Sequence, residues 1–402
     1  MVQSKKTENQ TRCVHTLIKK LFFILLSIFA FSSNQVLAEE TDKLSTISGS
    51  VILMDSQSNA VLYSKNEHVR MYPASLTKIA TAIYAIENAD VNEIVSVSHE
   101  ALEIEGTKVY LNEGEEVPLK KLIQGMLINS GNDAAAAIAL HMDDNMELYE
   151  KHINEFLTEK IGVKDTHFTN PHGLFDENHY TTAYDLGLIT NYALKNEIFK
   201  EIFGTKELPW DGQSWDTTLF THHLLLKGEI PFEGITGGKT GFVNESKQTL
   251  ATTASNGQIN LTVICLNADY KRDIYNDTIN LLSYGFSNFK SSTIPTQTKF
   301  ENEKEQFVLT DPLYITEPLS GAVREVTLQG NLAVYDSTNT EIQSVSLNKY
   351  KVKRIQENSS IIGEKKSSDP TAPIIMKAIS IGLGFAVVGA IVGFLKKRIL
   401  NG

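Results

Sequence analysis

Two apolar segments, one towards each end, confine the part of this 402-residue chain that can fold in water. Near the N-terminus, Lys19 and Lys20 precede the apolar run 21–31, and Val36-Leu37-Ala38 then offers small residues at a cleavage position. A run of about eleven residues is short for a bilayer. Residues 1–38 therefore read as an export signal, an uncleaved anchor being the rival reading. Near the C-terminus, residues 374–395 are apolar except for Lys377, Ser380 and several glycines, and Lys396-Lys397-Arg398 follows at once. At ~1.5 Å per residue such a segment matches a hydrocarbon core of ~30 Å. Lys377 could snorkel, and the basic cluster marks a cytoplasmic side. Residues 373–402 are expected to form a transmembrane helix with a basic tail, which makes the chain a single-pass cell-membrane protein with its folded part outside. A helix lying flat on the membrane is the alternative, and the weak polar face argues against it. Gly389 and Gly393 match a small-xxx-small pairing face.

Between these segments, strand-like and helix-like runs alternate. Residues 47–55 and 60–64 flank Ser56-Gln57-Ser58-Asn59 and predict a β-hairpin. Helices are predicted over 76–88, 119–127, 134–142 (with Asn132-Asp133 as caps), 184–194, 198–203 and 273–286. Residues 249–254 and 259–266 predict an antiparallel pair. From 291 the helical period vanishes and short alternating runs take over. The expected organisation is an α/β catalytic domain over 39–289, a small all-β domain over 290–355 and a polar linker over 356–372. A formal charge of −11, near −15 without residues 1–38, argues against a nucleic-acid partner. Cys13 would leave with the signal, and Cys265 sits alone in an apolar run, so no internal disulfide is available.

Three short motifs follow one another: Ser75-Leu76-Thr77-Lys78, Ser130-Gly131-Asn132 and Lys239-Thr240-Gly241. Singly each is weak, since Ser-x-x-Lys also occurs at Ser287–Lys290 and Ser346–Lys349. Only the Ser75 copy opens a helix, where a serine and a lysine three apart share one side. A free serine needs an adjacent base, and Lys78 could be that base if burial and a nearby cation such as Lys239 lower its pKa. The rival reading makes Ser75 a helix cap. Ser130 falls at a break between helices, where it could relay a proton. Asn132 can both donate and accept. Gly237, Gly238 and Gly241 would let a substrate backbone approach a strand edge.

In this order, and with Tyr72-Pro73-Ala74 before Ser75, Asn170-Pro171-His172-Gly173-Leu174 and Gly237-Gly238 before Lys239, the chain resembles the low-molecular-mass penicillin-binding proteins that act as D-Ala-D-Ala carboxypeptidases. The resemblance implies an antiparallel sheet with helices of the penicillin-binding/β-lactamase type, followed by a β-rich domain. It implies that Ser75 attacks the penultimate D-alanine carbonyl of a peptidoglycan pentapeptide, with Lys78 as base and Ser130 as relay. It also implies that Asn132 positions the peptide, that Lys239, Thr240 and Gly241 bind the terminal residue, and that the backbone N–H groups of Ser75 and Phe242 form the oxyanion hole. Arg272 matches a family arginine that helps bind the carboxylate. β-Lactams are expected as covalent inhibitors, and no cofactor or metal is called for; protein partners are not specified.

Two departures stand out. Where the family continues with a threonine two residues after the last motif and an Ala-Gly pair, this chain reads Phe242-Val243-Asn244-Glu245-Ser246-Lys247, and Tyr184 stands where an arginine is common. A class A β-lactamase would need a glutamate after the second motif, and residues 160–171 contain none. A non-catalytic wall-binding scaffold would be expected to have lost a motif residue. His99-Glu100-Ala101-Leu102-Glu103 and His222-His223 lack zinc-site spacing and read as surface or core histidines.

Overall fold

The computed structural model describes residues 44–352, which belong to one compact unit. The segments assigned above to the export signal, the polar linker and the membrane anchor lie outside the described residues. The framework is a five-stranded antiparallel sheet. Its strands are β1 (Ser50–Asp55), β2 (Val61–Lys65), β3 (Ile235–Val243), β4 (Lys247–Ser255) and β5 (Asn260–Ala268), in the spatial order β2-β1-β5-β4-β3. The predicted hairpin and antiparallel pair are both present, but they are joined to each other. Ser50 pairs with Leu266 and Asp55 with Leu261, so the first strand lies against the last.

Side chains alternate across a strand. In β1, Ile52 and Met54 therefore face one core while Val51 and Leu53 face another, and all four are fully buried. Both faces are covered, which is why β1 and most of β5 read as apolar, and why Thr249, Thr252 and Thr253 of β4 are buried as well. The first core is helical: α1 (Thr77–Asn88), α2 (Leu119–Ile128), α3 (Asn132–Met142) and α4 (Ala183–Ala193) contribute to it. Ala134, Ala135, Ala136, Ala137 and Ala139 of α3 are all buried, and their small size lets the central helix be packed on every side. The second face is covered by α5 (Lys271–Asn288), through Ile274, Tyr275, Leu281 and Leu282. Gly285 of α5 lies where a Cβ would come within 2.6 Å of Leu261 Cδ1, so the helix can sit close to the sheet. Cys265 is buried on this face, which pushes its thiol up to about 12.

Among the described residues beyond α5, every regular element is a strand apart from a 3-10 turn at Asn348–Tyr350. These strands enclose a separate small core that includes Phe307, Leu309, Ile315, Leu332 and Val334. The expected fold class needs one correction. Among the described residues no helix is long and apolar enough to cross a membrane. The longest, α5, concentrates its apolar residues in one stripe against the sheet and is polar elsewhere. Over the described residues the fold class is thus α/β with a following β-rich part, and none of the helices there is long and apolar enough to cross a membrane.

Candidate active site

Ser75 lies in a single 3-10 turn, Ala74–Leu76, that runs straight into α1. The capping positions are Pro73 and Leu76, and neither makes a side-chain cap, so the helix-cap reading of Ser75 fails. Its Oγ instead accepts a hydrogen bond from Lys78 Nζ at 3.1 Å. Lys78 also donates to Asn132 Oδ1 at 2.8 Å and to the His172 carbonyl at 2.7 Å. Its side chain is completely buried. Burial first, and then the charge of Lys239, push the Lys78 ammonium well below the usual lysine range, with Asp133 pulling weakly the other way.

Ser130 occupies the break between α2 and α3 with a left-handed φ of 64°, a conformation that costs a non-glycine residue about 1–2 kcal/mol. Its hydroxyl accepts from Lys239 Nζ at 2.9 Å, and the same ammonium donates to the Thr240 carbonyl at 2.9 Å. Lys239 is buried, which lowers its pKa to about 7. The last motif lies in β3, at the edge of the sheet. At Gly241 a Cβ would fall 2.9 Å from the Ser75 backbone N and 2.4 Å from Thr249 Oγ1. Only glycine lets the strand close on the serine.

Asn132 and Asp133 were expected to cap α3, and they do not. The capping residue is Gly131, and Asn132 is the first residue of the helix. The Asn132 side chain spans from Lys78 to the Glu105 carbonyl, to which its Nδ2 donates at 2.6 Å. The buried Asp133 carboxylate accepts from the backbone N–H groups of Val109 (3.0 Å), Leu111 (3.3 Å) and Ala134 (2.9 Å). Both side chains therefore hold the loop 105–111 against the site, where backbone donors and acceptors would otherwise go unpaired.

A cleft of about 440 Å³ brings Ser75, Ser130, Thr240, Gly241 and Phe242 together. Its lining also includes His222 and Lys271. Arg272 is not brought to it: its side chain is 85% exposed, with Nε 3.6 Å from the Asp273 carboxylate. Successive helix residues point about 100° apart, so at the start of α5 one of the two cations faces the cleft and the other faces solvent. His223, next to His222, is buried. Its Nδ1 accepts from Leu226 N–H at 3.1 Å, which leaves Nε2 to donate to Thr252 Oγ1 at 2.8 Å. Among the described residues no group of His, Cys, Asp or Glu could hold a metal ion.

A support behind Ser75 escaped the sequence reading. The Thr169 N–H donates to His179 Nδ1 at 3.0 Å, so the ring proton sits on Nε2, 2.8 Å from Thr77 Oγ1. The Thr77 hydroxyl in turn donates to the Ala74 carbonyl at 2.9 Å. Ala74 has a left-handed φ of 49°, and this chain of bonds holds it there. Burial, assisted by His167 and Lys78, lowers His179 to about 3 and keeps it neutral. Gly173 presses on the same carbonyl: it has φ +85°, and a Cβ there would sit 1.9 Å from the Ala74 oxygen. The Asn-Pro-His-Gly-Leu string was visible in the sequence, but its contact with the serine's turn was not.

The model of the D-alanyl-D-alanine carboxypeptidase family matches residues 36–270. D-alanyl-D-alanine carboxypeptidase DacF of Bacillus subtilis is 27% identical over 360 residues, covering 84% of this chain and 90% of its own length. The DacA carboxypeptidase of Haemophilus influenzae is 29% identical over 293 residues, covering 67% and 69% respectively. Among solved structures, penicillin binding protein 6B from Escherichia coli aligns with a TM-score of 0.62 at 25% identity, covering 75% of this chain and 95% of that one. Penicillin binding protein 5 from Haemophilus influenzae aligns at 0.65 over 75% and 97%, and at 21% identity that likeness speaks for the fold alone.

Proposed function

This chain belongs to the D-alanyl-D-alanine carboxypeptidase family, and from that membership we propose how its residues divide the work. The protein is a serine-type carboxypeptidase that removes the terminal D-alanine from peptidoglycan stem peptides, and it binds β-lactams. Ser75 Oγ attacks the penultimate carbonyl carbon and passes its proton to Lys78. A lysine can accept that proton only when neutral, which burial favours. The oxyanion that forms is met by the backbone N–H groups of Ser75 and Phe242. Ser130 delivers a proton to the departing amine. Lys239 and Thr240 bind the terminal carboxylate beside the close approach at Gly241, and Asn132 positions the peptide. Water then hydrolyses the ester on Ser75.

The observation that carries this reading is the short path from Ser75 Oγ to a fully buried lysine, with a second buried lysine on Ser130. The β-lactamase reading would place a carboxylate base on the loop before His172. In this chain Lys78 meets the backbone carbonyl of His172 there, and residues 160–171 hold no glutamate. A non-catalytic scaffold would have no use for two buried, depressed lysines. A peptidoglycan substrate calls for a catalytic domain on the extracytoplasmic face, with residues 1–38 as the export signal.

Incubation with benzylpenicillin followed by intact mass measurement should show one adduct on the wild type and none on Ser75→Ala. The wild type should also release D-alanine from a D-Ala-D-Ala pentapeptide. An adduct that survives the Ser75→Ala change would overturn the assignment of the nucleophile.

A further inference from the structure

Where the β-rich part meets the sheet domain, a second cavity of about 520 Å³ opens that shares no lining residue with the catalytic cleft. The end of α4 and the ends of β3, β4 and β5 form its walls, and Tyr314 of the strand Leu313–Pro318 borders it from the β-rich part. Small-ligand sites usually measure ~300–1,000 Å³ and are common where two domains meet.

One buried group on this wall lacks a partner. Asn191 is 1% exposed, and its Nδ2 donates to Asn59 Oδ1 at 2.8 Å and towards the Asp55 carbonyl at 3.5 Å. A carbonyl can only accept, so the amide is fixed with its Oδ1 turned the other way. Among the described residues nothing donates to that oxygen. An unpaired buried acceptor costs about 1–3 kcal/mol, which a ligand offering an O–H or N–H would offset.

The rest of the wall narrows the class of ligand. Both lysines there are already engaged: Lys200 Nζ donates to Glu197 Oε1 at 3.1 Å, and Lys195 Nζ lies 5.6 Å from the centre of the Tyr192 ring. A bare anion would also bring Asn191 no proton. What remains is polar and uncharged: the amides of Gln57 and Asn260, which can donate and accept, and the Tyr314 ring, which is 40% exposed. The negative face of an aromatic ring attracts C–H groups polarised by neighbouring oxygens. A sugar presents such C–H groups on its face and hydroxyls around its edge, and an acetamido sugar adds an N–H.

The peptide being cut would not lie here. Thr236 lines the cavity three residues before Lys239 on β3, so at ~3.3 Å per residue it lies about 10 Å along the strand from the cleft. In the proposed reaction the peptide runs from Thr240 past Phe242, away from Thr236.

We propose that this cavity binds a short stretch of glycan carrying acetamido groups, with a sugar ring against Tyr314 and an N–H or O–H on Asn191 Oδ1. It holds the enzyme to a glycan strand beside the one whose peptide is trimmed. The inference rests on the carboxypeptidase reading only for the direction of the peptide.

The test titrates the full chain with tri-N-acetylchitotriose by calorimetry. The wild type should bind saturably, and Tyr314→Ala and Asn191→Ala should each weaken binding about ten-fold. Tyr314→Phe keeps the ring and should stay within about two-fold of the wild type. All three variants should release D-alanine from a soluble pentapeptide at the wild-type rate, which also shows that they fold. No saturable binding by the wild type, or unchanged affinity in either alanine variant, would overturn the proposal. So would binding of a glycan-free pentapeptide that Tyr314→Ala abolishes, since the cavity would then be a peptide site. A wild type that binds the oligosaccharide but releases no D-alanine would count against the reading of the cleft and leave the sugar site supported.

Discussion

In the proposed mechanism Lys78 and Lys239 have opposite requirements, and the pH dependence of the enzyme should show both. Lys78 must be neutral to take the serine proton, and its lowered pKa makes the neutral form accessible. Lys239 must be charged to attract a carboxylate, and its pKa of about 7 makes the charged form scarce above neutrality. Activity should therefore rise as pH climbs through the depressed Lys78 titration and fall as Lys239 loses its proton. Because the two ammonium groups are close enough to interact, the two limbs belong to the pair rather than to either residue. A profile of kcat/KM against pH on an acid-terminated peptide should be bell-shaped, with its alkaline limb starting near 7. A profile flat from about pH 6 to 9 would contradict that assignment of charge. Residue types and spacing made Ser75, Lys78, Ser130 and Lys239 legible in the sequence. Burial was not legible, and burial is what lowers both lysines from their ordinary range.

The 3-10 turn that carries the nucleophile is shaped by an element far along the chain. Residues 169–179 supply His179 on one side of the Ala74 carbonyl and Gly173 on the other. Replacing Gly173 by alanine would force a side chain onto a left-handed backbone, at a cost of about 1–2 kcal/mol, and drive it into the Ala74 oxygen. Ser75 would move with its turn. Gly173→Ala is expected to slow acylation by benzylpenicillin by more than about ten-fold, because a misplaced nucleophile costs at least that much. Stopped-flow or intact-mass kinetics would measure it, and an unchanged rate would show that the turn is set by α1 alone. The helices themselves were readable from their periodicity, and those around the site begin and end close to the expected residues. The cap assignment at Asn132 and Asp133 was not, since a sequence shows that these side chains can accept hydrogen bonds but not that the loop 105–111 competes for them.

The β-rich part meets the sheet domain through a buried carboxylate. Asp55, at the end of β1, accepts hydrogen bonds from Ser291 Oγ at 2.7 Å, Thr316 Oγ1 at 2.8 Å and the Gln57 N–H at 2.8 Å. Gln343 extends the contact by accepting from the Thr316 N–H and donating to the Ser58 carbonyl. Asp55→Ala would strand the buried Thr316 hydroxyl and the part-buried Ser291 hydroxyl and is expected to destabilise the protein by about 2 kcal/mol, read as a lower denaturant midpoint. An unchanged midpoint would mean that the two parts are held by other contacts. What the sequence determined by itself was local. It set the helices around the site, the hairpin and the antiparallel pair, the three motifs and the position of a helix start beside Ser75, because backbone periodicity and short-range spacing are written in neighbouring residues. The helix Met146–Phe156 and the strand Ile235–Val243 went unread. Only the tertiary structure decided which distant segments meet: β1 against β5, His179 behind Thr77, Gly241 against Ser75, and Lys271 rather than Arg272 at the cleft. The physical reason is that burial, desolvation and the direction of a side chain depend on what packs around a residue, and none of these is carried by the residue alone. Ser75 opens a helix by virtue of its neighbours in sequence. It faces a neutralisable lysine in the cleft because β3, α3 and the 169–179 segment converge on it.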